Sequence, residues 1–160
     1  MDEFGDAVET VTVEMNKVLD EGLPLHPLAE QRESVQKWRQ IGVGIMGVAD
    51  MLIKLGIRYG SGDSVNVIND IGRVMINRAM QASAHLAAID GPYPGLKSIS
   101  DITSTPFFRA NADEDTVELV NKYGLRNSQL LTIAPTGSKL RLSINSLNCW
   151  NTLRALSATA

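Results

Sequence analysis

Gly124-Leu125-Arg126-Asn127-Ser128-Gln129-Leu130-Leu131-Thr132-Ile133-Ala134-Pro135-Thr136-Gly137-Ser138 is the run whose reading decides the fold of this chain. Residues 129–134 have the apolar make-up of a strand, and the Pro-Thr-Gly-Ser that follows stops it. Pro135 has no N–H to give to a ladder, Gly137 tolerates positive φ, and Thr136 and Ser138 bring hydroxyls and free amides. If a helix follows, the amides of such a turn converge on an anion, a phosphate above all. Taken alone, the same four residues also read as an ordinary strand-ending turn.

A second informative block lies upstream: Arg39-Gln40-Ile41-Gly42-Val43-Gly44-Ile45-Met46-Gly47-Val48-Ala49-Asp50-Met51-Leu52-Ile53-Lys54-Leu55-Gly56-Ile57-Arg58-Tyr59. Ser34 opens a helix here, with Val35, Trp38, Ile41, Ile45, Val48 and Leu52 on one stripe and an end near Gly56. Within it, residues 42–47 match Gly-x-Gly-x-x-Gly, the dinucleotide-binding fingerprint. That fingerprint needs a preceding strand, whereas residues 35–40 have a helical period. It also needs a second strand about twenty residues on, where this chain enters another helix near Asp63. The glycines therefore read as places of close helix–helix packing. A nicotinamide-dependent dehydrogenase would rest on this pattern alone.

Together the two blocks resemble the ribonucleotide reductase large (catalytic) subunit, in the expected order, with the likeness running from about Asp2 to Ser138. The resemblance implies a Leu-Arg-Asn-Ser run leading into a Pro-Thr-Gly-Ser/Thr turn under the substrate's phosphates. The implied fold is mainly α, a helical fragment of a ten-stranded α/β barrel with about one short strand before the phosphate turn. The implied reaction is radical reduction of a ribonucleoside di- or triphosphate to its 2′-deoxy form, which supplies precursors for DNA replication. The resemblance assigns Pro135, Thr136, Gly137 and Ser138 to binding the substrate's phosphates, with Asn127 and Ser128 as neighbours that either hold the strand or face the substrate. The Thr-Ile-Ala-Pro-Thr-Gly-Ser wording resembles the adenosylcobalamin-dependent branch, which implies that cofactor for the intact enzyme and none in this fragment.

The same resemblance places the thiyl-radical cysteine, the reducing cysteine pair and the nearby Asn and Glu upstream of these helices, so no catalytic residue is assigned here. Cys149, in Leu147-Asn148-Cys149-Trp150, matches no cysteine motif of the family. Residues 1–138 read as a partial catalytic domain and residues 139–160 as a non-family tail, attributed to translation into an intervening sequence. The tail carries three basic residues, Lys139, Arg141 and Arg154, and no acid. No turnover is expected from the fragment alone. With barrel neighbours gone, strand 129–134 is expected to lack assured partners, leaving the turn poorly preorganised and nucleotide binding weak.

The rest of the chain reads as helices. Asp2 caps a first helix with Phe4, Val8, Val11, Met15 and Val18 at three- and four-residue steps and Gly22 as its stop. Two prolines make residues 23–28 a loop. Asp63 or Ser64 starts the longest helix, in which Val65, Ile68, Ile71, Met75, Ala79, Ala82, Leu86 and Ile89 step to the Gly91-Pro92 stop. Residues 92–112 read as irregular, and a short helix runs from Asp113 to Lys122, closed by Gly124.

Composition sets outer bounds. A chain of 160 residues, 44% hydrophobic and 21% charged, can bury one core. A formal charge of −3 and few aromatics argue against nucleic-acid binding. One cysteine rules out a disulfide framework or a multi-cysteine metal site, and His26 and His85 read as surface or core histidines with no metal spacing. The acids at Asp2-Glu3 and Asp113-Glu114-Asp115 fall in first helical turns, where they complement the macrodipole. With no transmembrane run and no basic leader, the expectation is a cytoplasmic protein without a membrane partner. Its expected partners are a ribonucleotide, a second copy through an exposed apolar face, or the remainder of the enzyme. A stand-alone helical interaction module without catalysis is the alternative.

Overall fold

The computed structural model describes residues 2–133, and among them the fold is mainly helical. Seven α-helices follow in order: α1 (Asp2–Gly22), α2 (Ala29–Trp38), α3 (Val48–Lys54), α4 (Gly62–Asp90), α5 (Ser100–Thr103), α6 (Pro106–Asn111) and α7 (Glu114–Tyr123), with a 3-10 turn, Leu23–Leu25, after α1. Helix α4 is the spine: α1 packs along it and α7 packs on it as well. Its buried residues Ile71, Met75, Ala79, Met80 and Ala84 meet Phe4, Val8, Leu52, Phe108 and Val120 in one core.

Local signals set most of the ends. The Ser61 side chain accepts from the Ser64 amide to start α4, and Gly91, at φ 80°, ends it. The Asp113 side chain accepts from the Thr116 amide to start α7, and Gly124 closes it. The expected first and longest helices and the helix after Asp113 are all present.

Several expectations are corrected. The glycine block is not one helix. Helix α2 starts at Ala29 rather than Ser34 and ends at Trp38, where Arg39 takes a left-handed conformation (φ 46°, ψ 48°). Residues 40–47 contain no helix, and α3 begins only after Gly47, at φ 82°. Between them Ile41 and Val43 are buried while Gly42 and Gly44 are exposed, the two-residue alternation of extended chain. Their glycines do permit close approach, but to extended backbone rather than to a helix. A Cβ on Gly44 would overlap the Thr132 carbonyl oxygen, and one on Gly42 would press on the Thr132 methyl.

Residues 41–43 are also the partner that the 129–134 segment was expected to lack. Val43 and Leu131 form an isolated parallel bridge. The Val43 amide donates to the Leu130 carbonyl (2.8 Å), the Thr132 amide to the Val43 carbonyl (3.0 Å), and the Ile41 amide to the Gln129 carbonyl (3.1 Å). The expected short strand is thus extended backbone held at one bridge, with no longer strand among the described residues.

The irregular stretch 92–112 contains α5 and α6; Thr105 caps α6, with Pro106 in the first helical position that suits its missing N–H. The buried stripe of α1 is also rotated from the apolar one. Val11 and Val18 are 44% and 61% exposed, whereas Thr12 and Asn16 are buried beside Phe4 and Val8.

Candidate functional site

The polar groups buried on α1 explain that rotation. Asn16 faces Asn127, the residue that opens the extended run toward the Pro-Thr-Gly-Ser turn. The two amides bond reciprocally, Asn16 Nδ2 to Asn127 Oδ1 at 3.1 Å and Asn127 Nδ2 to Asn16 Oδ1 at 2.9 Å. Asn127 Nδ2 also donates to the Arg39 carbonyl (2.8 Å), and Asn127 Oδ1 accepts from the Ser83 hydroxyl (2.9 Å). Asn16 Nδ2 donates to the Thr12 carbonyl (3.0 Å), and Asn16 Oδ1 accepts from Arg39 Nη2 (3.2 Å). Each primary amide thereby uses two donors and two acceptor sites, all it has. Buried polar groups left unpaired are costly, so a fully satisfied cluster fixes one arrangement of the elements that supply it.

Ser83 extends the junction into α4, where small neighbours Ala79, Ala82 and Ala84 let the chain come close. Its Oγ accepts from the amides of Arg126 (3.0 Å) and Asn127 (3.2 Å). Arg39 extends it to the surface: Nη1 and Nη2 grip both oxygens of Asp20 at 2.6 and 2.9 Å. That hydrogen-bonded guanidinium holds the Asp20 carboxyl below the ordinary carboxylate value, against the opposing effect of partial burial. Arg126 Nη1 caps the end of α4 by donating to the carbonyls of Asp90 (3.2 Å) and Gly91 (3.1 Å). Burial and the nearby Arg39 cation both lower the Arg126 pKa, with Asp90 and Asp20 opposing.

Of the residues singled out from sequence, Pro135, Thr136, Gly137 and Ser138 lie outside the described residues, as do Cys149 and the whole of 139–160. Asn127 is fully buried with its amide spent inside the protein, so of its two possible roles the structure supports holding the strand. Ser128 donates its backbone amide to the Trp38 carbonyl (3.0 Å), while its Oγ is buried without a hydrogen-bond partner. Ser128 borders a cleft of about 530 Å³ whose walls include Tyr93, Asp101, Phe107, Gln129 and Thr132. Burial, and to a lesser degree the Asp101 charge, push the Tyr93 phenol upward.

Asn16, Arg39 and Ser83 were missed. Their only trace in the sequence is a polar residue at i and i+4 of an otherwise apolar stripe (Thr12, Asn16) and a serine within an alanine-rich turn. The Gly-x-Gly-x-x-Gly block has α2 before it and places Gly42 and Gly44 within extended chain, so it lacks the strand-then-turn context of the dinucleotide fold. His85 is exposed on α4 and His26 follows the 3-10 turn. Among the described residues no three His, Cys, Asp or Glu side chains converge as a metal site, and no helix is long and apolar enough to cross a membrane.

The described residues are mainly helical with one parallel bridge, and comparison with known proteins gives the family. Residues 1–155 match the family described as ribonucleotide reductase, barrel domain. The chain is similar to the ribonucleoside-diphosphate reductase large chain of Encephalitozoon cuniculi, 32% identical over 83% of this chain and 18% of that protein. It is 34% identical to the large subunit of Dictyostelium discoideum, over 83% of this chain and 16% of the relative. For the large subunit of Arabidopsis thaliana the identity is 30%, over 86% of this chain and 18% of the relative. The chain belongs to the ribonucleotide reductase large-subunit family, in its barrel domain. It spans less than a fifth of the length of these curated relatives.

Proposed function

We propose that this chain supplies one piece of a ribonucleotide reductase barrel: two adjacent parallel strands centred on 41–43 and 129–132, backed by α1 and α4, and the turn 135–138 that meets a substrate's phosphates. The observation that carries this reading is the parallel Val43–Leu131 bridge. Parallel strands joined by a long helical crossover are the units from which α/β barrels are built, and here α3 to α7 form the crossover. The second segment runs directly toward Pro135.

In this reading the amides of Thr136, Gly137 and Ser138 donate to phosphate oxygens, and the intact enzyme reduces the ribonucleotide to its 2′-deoxy form. The relatives' names favour a ribonucleoside diphosphate as substrate. The finer assignment to the adenosylcobalamin-dependent branch gains no support from those relatives.

Each charge-assisted amide bond contributes about 1.5–3 kcal/mol. Fixing each turn residue costs about 1–2 kcal/mol. The two nearly cancel, so the chain alone binds ribonucleoside diphosphates at millimolar or weaker affinity without discriminating bases. Calorimetric or NMR titration should show this weak response, and Gly137→Pro should remove it. A wild-type chain without response at 136–138, or a response that survives Gly137→Pro, overturns the phosphate reading. No deoxyribonucleotide should form when the chain meets ribonucleotide, reductant and adenosylcobalamin.

A second reading, a helical interaction module, draws support from an apolar cleft of about 190 Å³ bordered by Phe4, Val11, Ile45, Met46 and Met51. Self-association in light scattering that Val11→Asp abolishes would support it; a clean monomer removes it.

A further inference from the structure

We propose that Asn127 is a positioning residue that pins the register of segment 129–132 against 41–43, and thereby sets where residues 135–138 are presented; the second half rests on reading those residues as a phosphate turn. The two segments diverge from one place. Asn127 Nδ2 holds the Arg39 carbonyl at the root of the first, while the Asn127 amide holds Ser83 at the root of the second. From there hydrogen bonds between the segments follow in order, Ser128 to Trp38, Ile41 to Gln129, Val43 to Leu130 and Thr132 to Val43, with one extra residue on the first segment between Ile41 and Val43. Arg39 at the first root is itself fixed, by its left-handed backbone and by the double contact with Asp20.

Register needs such a pin here. Side-chain burial specifies register where one face of a strand is apolar and the other polar. Leu130-Leu131-Thr132-Ile133-Ala134 is apolar at four of five positions, so a slip of one residue exchanges Leu130 for Leu131 in the core with little penalty in hydrophobic burial. The same slip displaces everything downstream by about 3.3 Å. A phosphate site tolerates far less, since misplacement of about 1 Å can cost on the order of a hundredfold in rate. The Asn127 amide supplies what the apolar pattern lacks. Its four hydrogen bonds come from α1, α4 and the Arg39 turn, and a shifted chain could not remake them.

The test uses the full chain, isotope-labelled, with Asn127→Asp as the variant, since it keeps the shape and exchanges two donors for an acceptor. Ser83→Ala leaves the other three side-chain bonds of Asn127 in place while removing the hydroxyl that bonds Asn127 Oδ1 and accepts the Arg126 and Asn127 amides, and serves if the first variant does not fold. Leu52→Ala is the control, a truncation in the same apolar core that removes no hydrogen bond of the junction. With the helical circular-dichroism signal retained, the junction variants should lose the Val43–Leu131 cross-strand contact and at least tenfold of the hydrogen-exchange protection at the Val43 and Thr132 amides. Leu52→Ala should keep the contact even where global stability falls as far. In a parallel titration with pyrophosphate, wild-type Gly137 should respond and the junction variants should not. The proposal is overturned if a folded junction variant keeps the wild-type contact and protection, or if Leu52→Ala loses the contact equally. A wild-type chain silent to pyrophosphate, with register still lost in the variants, overturns the phosphate reading and leaves the register role standing.

Discussion

Asn16 and Asn127, 111 residues apart in sequence, exchange hydrogen bonds in both directions between their side-chain amides, at 3.1 and 2.9 Å. Each amide reserves its remaining donor and acceptor for a third party, so that α1, α4 and the Arg39 turn meet at one buried point. This junction explains why the buried face of α1 includes Thr12 and Asn16 while Val11 and Val18 face outward. Hydrophobic burial would have chosen the valines; saturation of two buried amides chose otherwise.

The pair should behave as a unit. Asn16→Ala and Asn127→Ala each orphan the partner's groups, at about 1–3 kcal/mol for each group left unpaired. The double variant should cost less than the sum, with a coupling of about 0.5–3 kcal/mol in a urea-denaturation cycle. Additive costs would show that the reciprocal bonds contribute nothing.

Two glycines should respond oppositely to alanine. Gly44→Ala drives a methyl into the Thr132 carbonyl and should cost about 1–3 kcal/mol, as overpacking does. Gly72, inside α4 with open space where its Cβ would lie, should gain about 0.5–1 kcal/mol on the same change. Thermal melts of the two variants should move in opposite directions.

Adjacent residues of α3 should differ as sharply. Leu52 is 0% exposed and Ile53 73% exposed. Leu52→Ala should cost about 2–5 kcal/mol through lost burial and a residual cavity. Ile53→Ala should stay within about 0.5 kcal/mol of wild type. Comparable losses at both positions would mean that α3 is not seated as described.

Helix α7 has one defined start. Asp113→Ala removes the oxygen that accepts the Thr116 amide at 2.8 Å and should cost about 1 kcal/mol, with Asp113→Asn recovering most of it. Chemical denaturation of the three proteins checks the order.

The Arg39–Asp20 pair gives a pH dependence with a definite sign. The folded Asp20 pKa lies below its unfolded value, because the Arg39 guanidinium donates to it. Its contribution is complete above the unfolded value, about pH 4, and is lost as pH falls through the lower folded value. The Asp20 side chain is about half exposed, so solvent screening limits the effect to about 1 kcal/mol or less. Stability measured from pH 5 down to pH 2 should fall less steeply in Asp20→Asn than in wild type; parallel curves would show that Asp20 does not contribute.

The sequence by itself determined the helical content, the ends set by Asp113, Gly91 and Gly124, and the family. Caps and stops act through the next few residues, and the two quoted blocks carry the family's wording. It also contained, unread, the alternation Ile41-Gly42-Val43-Gly44-Ile45, a two-residue period hidden because Ile41, Ile45, Val48 and Leu52 also fit a helical stripe. Tertiary structure alone decided between those periods. The extended form won because residues 129–132 offer it a partner backbone that only glycine lets in, and because Arg39 turns left-handed where Asp20 and Asn16 hold its guanidinium. The same long-range contacts decided that Thr12, Asn16 and Asn127 belong inside. A polar side chain is buried only where partners from distant segments satisfy it, and those partners are fixed by the fold rather than by neighbours along the chain.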